Sequence, residues 1–158
     1  MAPRTGTYFA YRTPYGPVTI RTSERGVTHV AFGDVPLPGV RRPSALATSA
    51  ADEILEYFAG KRTFFDVPLD PEGSAFQRAV WDELSRIPYG SARSTAQVAE
   101  LMGKPESYRS VGAAVKKNPL AILVPDHRVV GANGRPAGAD ASARLKGALL
   151  DMERSHLA

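Results

Sequence analysis

The sequence predicts an α/β chain in two parts, a strand-rich first half and a mainly helical second half. Three observations carry this. Residues 7–32 hold three short runs rich in Tyr, Val, Ile, Thr and Phe, separated by turn signals. Residues 45–58 and 74–87 carry apolar side chains at helical spacing. Between the two parts, Pro68 to Gly73 reads as a linker, so domains are expected over 1–70 and 74–158. A length of 158 residues with 43% hydrophobic content fits one ordinary domain or two small ones.

Thr7–Tyr11, Val18–Thr22 and Val27–Phe32 are the expected strands, with Pro-Tyr-Gly-Pro (14–17) and Glu-Arg-Gly (24–26) as hairpin-like connections. A polar, proline-rich stretch follows from Gly33 to Pro43. Ala45 to Phe58 then places Ala47, Ala51, Ile54, Leu55 and Phe58 at helical spacing, with Gly60 as a stop. Thr63–Val67 reads as a short strand. Ser74 can cap a helix whose Phe76, Val80, Leu84 and Ile87 form one apolar stripe, ended by Pro88-Tyr89-Gly90. Ser94 and Gln97 form a capping box for a helix through Met102, closed by Gly103. Ser107 is the expected cap of a second helix, running to about Asn118.

Two short helices across a tight turn are the pattern of a helix-turn-helix, although any helical hairpin reads the same way. The small Gly112, Ala113 and Ala114 suit a surface that approaches another backbone or a groove closely, and equally a helix packed tightly on its neighbour. Lys116 and Lys117 suit phosphates. Leu120–Val124 reads as an apolar strand, and the last helix is expected over Ala143 to about Arg154, with Leu145, Leu149 and Met152 on one side.

Charge and composition exclude several function classes. There is no cysteine, which removes disulfides, thiolate metal sites and any cysteine nucleophile. No apolar run approaches the roughly 20 residues that span a bilayer, and Met1 to Thr7 has no signal-peptide core. A cytoplasmic protein is the expectation. Residues 1–73 carry eight basic and eight acidic side chains, whereas 74–158 carry twelve and eight, so the net charge of +4 lies in the second half. That balance is compatible with a polyanionic partner and equally with a solvated basic surface.

Five motifs occur in order: Phe76-Gln77-x-x-Val80-Trp81, Ile87-Pro88-Tyr89-Gly90, Arg109-x-Val111-Gly112-x-Ala114, Asn118-Pro119 and Pro125-x-His127-Arg128-Val129-Val130. In this register the chain resembles the O6-alkylguanine-DNA alkyltransferases (methylated-DNA–protein-cysteine methyltransferases), closely over about residues 74–153 and more loosely before. The resemblance implies a ribonuclease-H-like N-terminal domain followed by a helical, winged helix-turn-helix-like DNA-binding domain. It implies double-stranded DNA as partner, bound through the minor groove with a base flipped out. Thr95, Arg109, Gly112, Ala113, Lys116, Lys117 and Arg128 would face DNA, with Arg109 inserted beside the extruded base. Asn118, Pro125, Asp126, Ala139 and Asp140 would line the base pocket.

The family's Pro-Cys-His-Arg motif supplies a cysteine that takes the alkyl group, activated through a His and a Glu. Here the nucleophile position is Asp126, while His127 and Glu153 match the activating pair. A carboxylate is a far poorer nucleophile toward an alkyl carbon than a polarisable thiolate, so no alkyl transfer is expected and no residue is assigned as catalytic. Two further departures accompany it. Thr95 stands where the family usually has Tyr, and Gly138-Ala139-Asp140-Ala141-Ser142 lacks the aromatic of the base-closing loop. Three departures together point to a natural diverged homologue.

The pattern resembles the cysteine-less alkyltransferase-like proteins, which bind alkylated guanine without repairing it and hand it to nucleotide excision repair. An ionised Asp126 would face guanine O6, also an acceptor, so an amino-bearing base edge would suit it better. Identical binding by wild type, Asp126→Ala and Asp126→Asn would count against that hypothesis.

Two alternatives stay open on the residues. One is a repurposed enzyme with Asp126 and His127 as an acid–base pair on a base or small metabolite. The other is a plain DNA- or partner-binding module without base flipping. No cofactor is expected. With His29 and His156 isolated in the sequence and no cysteine, no metal is expected, and a monomer is the expected state.

Overall fold

The computed structural model describes residues 6–138 and 140–157. The chain divides into two compact units: one runs up to Glu72 and takes in Pro119–Leu123, the other comprises Gly73–Asn118 and the chain from Val124. A contiguous division at the linker does not provide for the excursion of Pro119–Leu123.

The first unit is built on β1 (Thr7–Tyr11), β2 (Val18–Thr22), β3 (Val27–Phe32) and β4 (Val40–Arg41), in the order β3-β2-β1-β4. β2 pairs antiparallel with both neighbours, Ile20 lying opposite Phe9 and Val30, and β4 joins β1 in parallel at Thr7 and Val40. All five β2 residues are buried, as befits a central strand covered on both faces. Against the sheet packs α1 (Ala45–Phe58), capped by Ser44, whose hydroxyl accepts the Ala47 N–H at 3.1 Å. Ile20, Ile54 and Tyr57, each 0% exposed, form the centre of this core. Burying such a side chain stabilises the unit by about 1.5–3 kcal/mol.

Two expected strands are absent. Thr63–Val67 forms none, because the Asp66 and Val67 N–H groups both donate to the Glu53 carboxylate rather than to a neighbouring strand. Instead Leu69 bridges to Val27. In Leu120–Val124 only Leu120 pairs, with Val30. Residues 121–123 form a turn in which Ile122 adopts a φ of 73°. A left-handed isoleucine costs on the order of 1–3 kcal/mol, and its side chain, 1% exposed, offsets that by burial.

The second unit begins with α2 (Ala75–Leu84), opened by a reciprocal capping box between Ser74 and Gln77. Val80, Trp81 and Leu84 are buried on its inner face. β5 (Arg93–Ser94) leads into α3 (Thr95–Leu101), again with a capping box, Ser94 with Gln97. Gly103, at φ +74°, turns the chain where a side chain would be strained. A single 3-10 turn, Pro105–Ser107, then enters α4 (Tyr108–Lys116).

Ser107 is not the cap expected of it. Its φ of −93° and ψ of 17° already lie near the helical region, and its side chain makes no capping bond. β6 (Val129–Val130) pairs in parallel with β5. The last helix, α5 (Ala141–Leu157), is longer than predicted at both ends. An Asp140 carboxylate oxygen accepts the Ala143 N–H at 2.8 Å, which starts the helix earlier. No helix among the described residues is long and apolar enough to cross a membrane.

Candidate nucleic-acid interface

Two features of the second unit bear on function, an outward helix face and a buried polar cluster. On α4, Val111 and Ala114 turn inward, at 0% and 3% exposure. Ala114 is therefore a core residue and not part of a close-approach surface: its carbonyl accepts the Trp81 indole N–H at 2.9 Å. The opposite face carries Arg109, Ala113, Lys116 and Lys117, all exposed. Gly112 is half-buried, and a Cβ built there would meet Thr95 Cγ2 at 3.5 Å, an ordinary contact. Thr95 and Gly112 are thus neighbours where α3 begins. Lys116 in the last turn and Lys117 at the C-cap lie where the helix macrodipole favours cations.

The buried cluster is organised by α5. Lys146 and Glu153 lie seven residues apart, two helical turns, on one face. A second 3-10 turn, Asp126–Arg128, packs against this helix. Glu153 is 0% exposed, and its Oε1 accepts the Arg128 Nε–H at 2.8 Å and the Gly90 N–H at 2.8 Å. Its Oε2 accepts from Arg128 Nη2 at 2.9 Å and lies 2.7 Å from His127 Nε2. A carboxylate meeting this many donors is an acceptor only. In the contact with this carboxylate, His127 Nε2 is the donor.

Gly90 holds φ +77°, where an L side chain would be strained, and from this conformation its N–H reaches Glu153. Arg128 completes its fork by donating from Nη1 to the Ile87 carbonyl at 2.7 Å, and its guanidinium lies 5.6 Å from the Tyr89 ring centroid. At 6% exposure Arg128 is a buried structural residue, which corrects its assignment to the DNA-facing set. The reason is electrostatic: once His127 and Arg128 converge on a single buried carboxylate, the arginine cannot leave without stranding that charge.

Asp126 is also buried, at 6% exposure, and its Oδ2 lies 3.3 Å from the Lys146 ammonium. Asn118 donates from Nδ2 to the Val124 carbonyl at 3.1 Å, joining the residues where the chain leaves this unit and re-enters it. Pro125 is buried beside Asp126. Asp140 is exposed and engaged in capping α5, while Ala139 lies outside the described residues. Sequence reasoning missed Lys146 and Gly90. The spacing of Lys146 from Glu153 was the available signal, since seven residues return to the same helix face.

Among the described residues no group of three or more His, Asp or Glu side chains is placed to hold a metal ion. His156 instead lies with its Nδ1 3.1 Å from the Tyr89 hydroxyl. His29 Nδ1 sits 2.9 Å from the Thr28 hydroxyl in the first unit.

Comparison with known proteins gives a consistent picture. Residues 75–155 match the family model described as 6-O-methylguanine DNA methyltransferase, DNA binding domain. Residues 7–71 match the ribonuclease-like domain of the same family. A methylated-DNA–protein-cysteine methyltransferase of Methanosarcina barkeri is 37% identical over 159 residues, covering 95% of this chain and 98% of the relative. One from Mycobacterium tuberculosis is 40% identical over 153 residues, covering 92% of each.

The crystal structure of M. tuberculosis O6-methylguanine methyltransferase has a TM-score of 0.87 at 38% identity, covering 96% of this chain and 94% of that one. A structure of the same organism's protein in complex with DNA has a TM-score of 0.85 at 38% identity, covering 95% and 94%. These relatives are named as cysteine methyltransferases, and this chain contains no cysteine.

Proposed function

Because the chain belongs to the 6-O-methylguanine DNA methyltransferase family, we propose that it binds double-stranded DNA and senses modified bases by nucleotide flipping, without taking an alkyl group. The observation that carries this reading is the buried His127–Glu153 pair, kept intact behind a carboxylate, Asp126, in the place of the nucleophile. A frame of this kind holds the Asp126–Arg128 turn in shape, while the carboxylate on that turn is unsuited to displacement at an alkyl carbon.

In this reading α3 and α4 act as a helix-turn-helix. The exposed face of α4 enters the minor groove, with Arg109 filling the place of the extruded base, Thr95, Gly112 and Ala113 allowing close approach, and Lys116 and Lys117 near phosphates. Extrusion costs a few kcal/mol and least for a damaged base, so even a non-reacting pocket favours lesions. Asn118, Pro125, Asp126 and Asp140 would line the base pocket. The Asp126–Lys146 pair offers a flipped base both an acceptor and a donor. An exocyclic amine would meet the carboxylate, and a carbonyl oxygen or ring nitrogen the ammonium. The protein would work as a cytoplasmic monomer and pass the marked site to excision-repair proteins.

Commitment of Asp126 to Lys146 and of His127 to Glu153 gives no support to an acid–base pair between the two. The test is fluorescence anisotropy with two short duplexes at one stated salt concentration, unmodified and with a single O6-methylguanine. The expected result is tighter binding to the modified duplex and loss of that preference in Arg109→Ala. Equal affinity for both duplexes would leave a plain DNA-binding module. Mass spectrometry after incubation with the modified duplex should show no alkyl adduct on the protein, and a stable adduct would overturn the non-catalytic reading.

A further inference from the structure

The second unit holds four aromatic side chains, and three are accounted for by packing. Trp81 is buried, while Phe76 and Tyr89 are half-buried beneath cations, Lys104 at 5.5 Å and Arg128 at 5.6 Å. The fourth, Tyr108, is 46% exposed at the first position of α4. No core requirement puts a large ring there, since Val111 and Ala114 supply the inward face of this helix. What Tyr108 does contact is the next residue: the Arg109 guanidinium carbon lies 5.9 Å from its ring centroid. That is within the range at which a ring face attracts a cation.

Resting on the proposed DNA reading, we infer that Tyr108 is a base-stacking residue that works with Arg109. In the free protein its ring holds the guanidinium near the head of the helix. On DNA, Arg109 leaves the ring for the duplex, and the vacated π-face stacks on a base next to the gap. The partner is a nucleic acid for two reasons on the same surface. Arg109, Lys116 and Lys117 give this helix face a positive charge complementary to phosphates. An exposed aromatic beside them is the kind of group that stacks on a base of any sequence. Tyr108 is thus a positioning residue: it orients the inserted arginine and holds the opened stack, and it performs no chemistry.

The experiment uses the full chain and a short duplex carrying an abasic site with 2-aminopurine as the neighbouring base. Affinity is read by anisotropy and stacking by quenching of the 2-aminopurine fluorescence at saturation. Tyr108→Ala should weaken binding by about 5- to 150-fold, the span of one base–aromatic stack, and should abolish the quench. Tyr108→Phe keeps the ring and should stay within about twofold of wild type with the quench retained. Both variants should melt at the wild-type temperature, because the side chain is exposed. If wild type binds and Tyr108→Ala matches it in affinity and quenching, the stacking role is overturned while the DNA reading stands. If wild type binds no duplex, the DNA reading fails and the stacking role with it.

Discussion

The buried cluster around Glu153 and the outward face of α4 use the same kinds of residue in opposite ways. In the cluster, His127, Arg128 and Glu153 are all but sealed from water, and His127 and Arg128 meet on the Glu153 carboxylate. On α4, Arg109, Lys116 and Lys117 are exposed. Arg128 and Arg109 therefore differ in what their charge does. A buried guanidinium must be matched within the fold, because removing a charge from water costs several kcal/mol. An exposed one costs little to keep and is available to a partner. The difference separates residues that build the site from residues that would use it, a distinction that the motifs alone do not make.

The largest test of this contrast is removal of Glu153. Glu153→Ala strands Arg128 and His127 without their shared acceptor and should destabilise the protein by about 3–5 kcal/mol in chemical denaturation. A loss below about 1 kcal/mol would mean that the cluster is not what holds the Asp126–Arg128 turn. Next comes Arg128→Lys, which keeps the charge but loses the two-pronged contact with the carboxylate. It should cost roughly 2 kcal/mol, as expected for hydrogen bonds to a charged group. The salt dependence of DNA binding should not change, and a shallower salt slope would return Arg128 to the DNA-facing set.

Lys116→Ala should show the reverse pattern. Its folding stability should stay within about 0.5 kcal/mol of wild type, while the slope of log affinity against log salt should fall by about 1. An unchanged slope would remove Lys116 from the phosphate contacts.

The smallest effect lies in the first unit. Burial, helped by the Arg21 charge and partly opposed by Glu72, holds the His29 imidazole below its ordinary value of 6.5. The unfolded chain therefore binds a proton there more readily than the folded one. Stability should fall as pH drops below about 6.5 and rise as pH increases through that window. His29→Gln should flatten this part of the pH profile, and an unaltered profile would show that His29 does not contribute to it.

Much of the fold was legible because local signals were strong. The capping boxes at Ser74 and Ser94 and the hairpin strands of residues 7–32 follow from short-range hydrogen bonding and alternation. The failures fall where a distant group competes. Thr63–Val67 has strand composition, yet Glu53 on α1 takes its N–H groups. Leu120–Val124 is apolar enough for a strand, yet the chain must turn and return within a few residues. At the site, Asp126, His127 and Glu153 were marked by motif register. Nothing in the motif said that Lys146 would face Asp126 or that Arg128 would be buried.

The sequence by itself determined the family, the absence of a thiol nucleophile and the residue types available at each motif position. Those are properties of order and spacing. Tertiary structure decided how the charges are matched: Glu153 between His127 and Arg128, Asp126 with Lys146, and Arg109 left outside. The physical reason is that the cost of a charge depends on its burial and its partners. Both are set by side chains far apart in the chain, and neither can be read until the chain has folded.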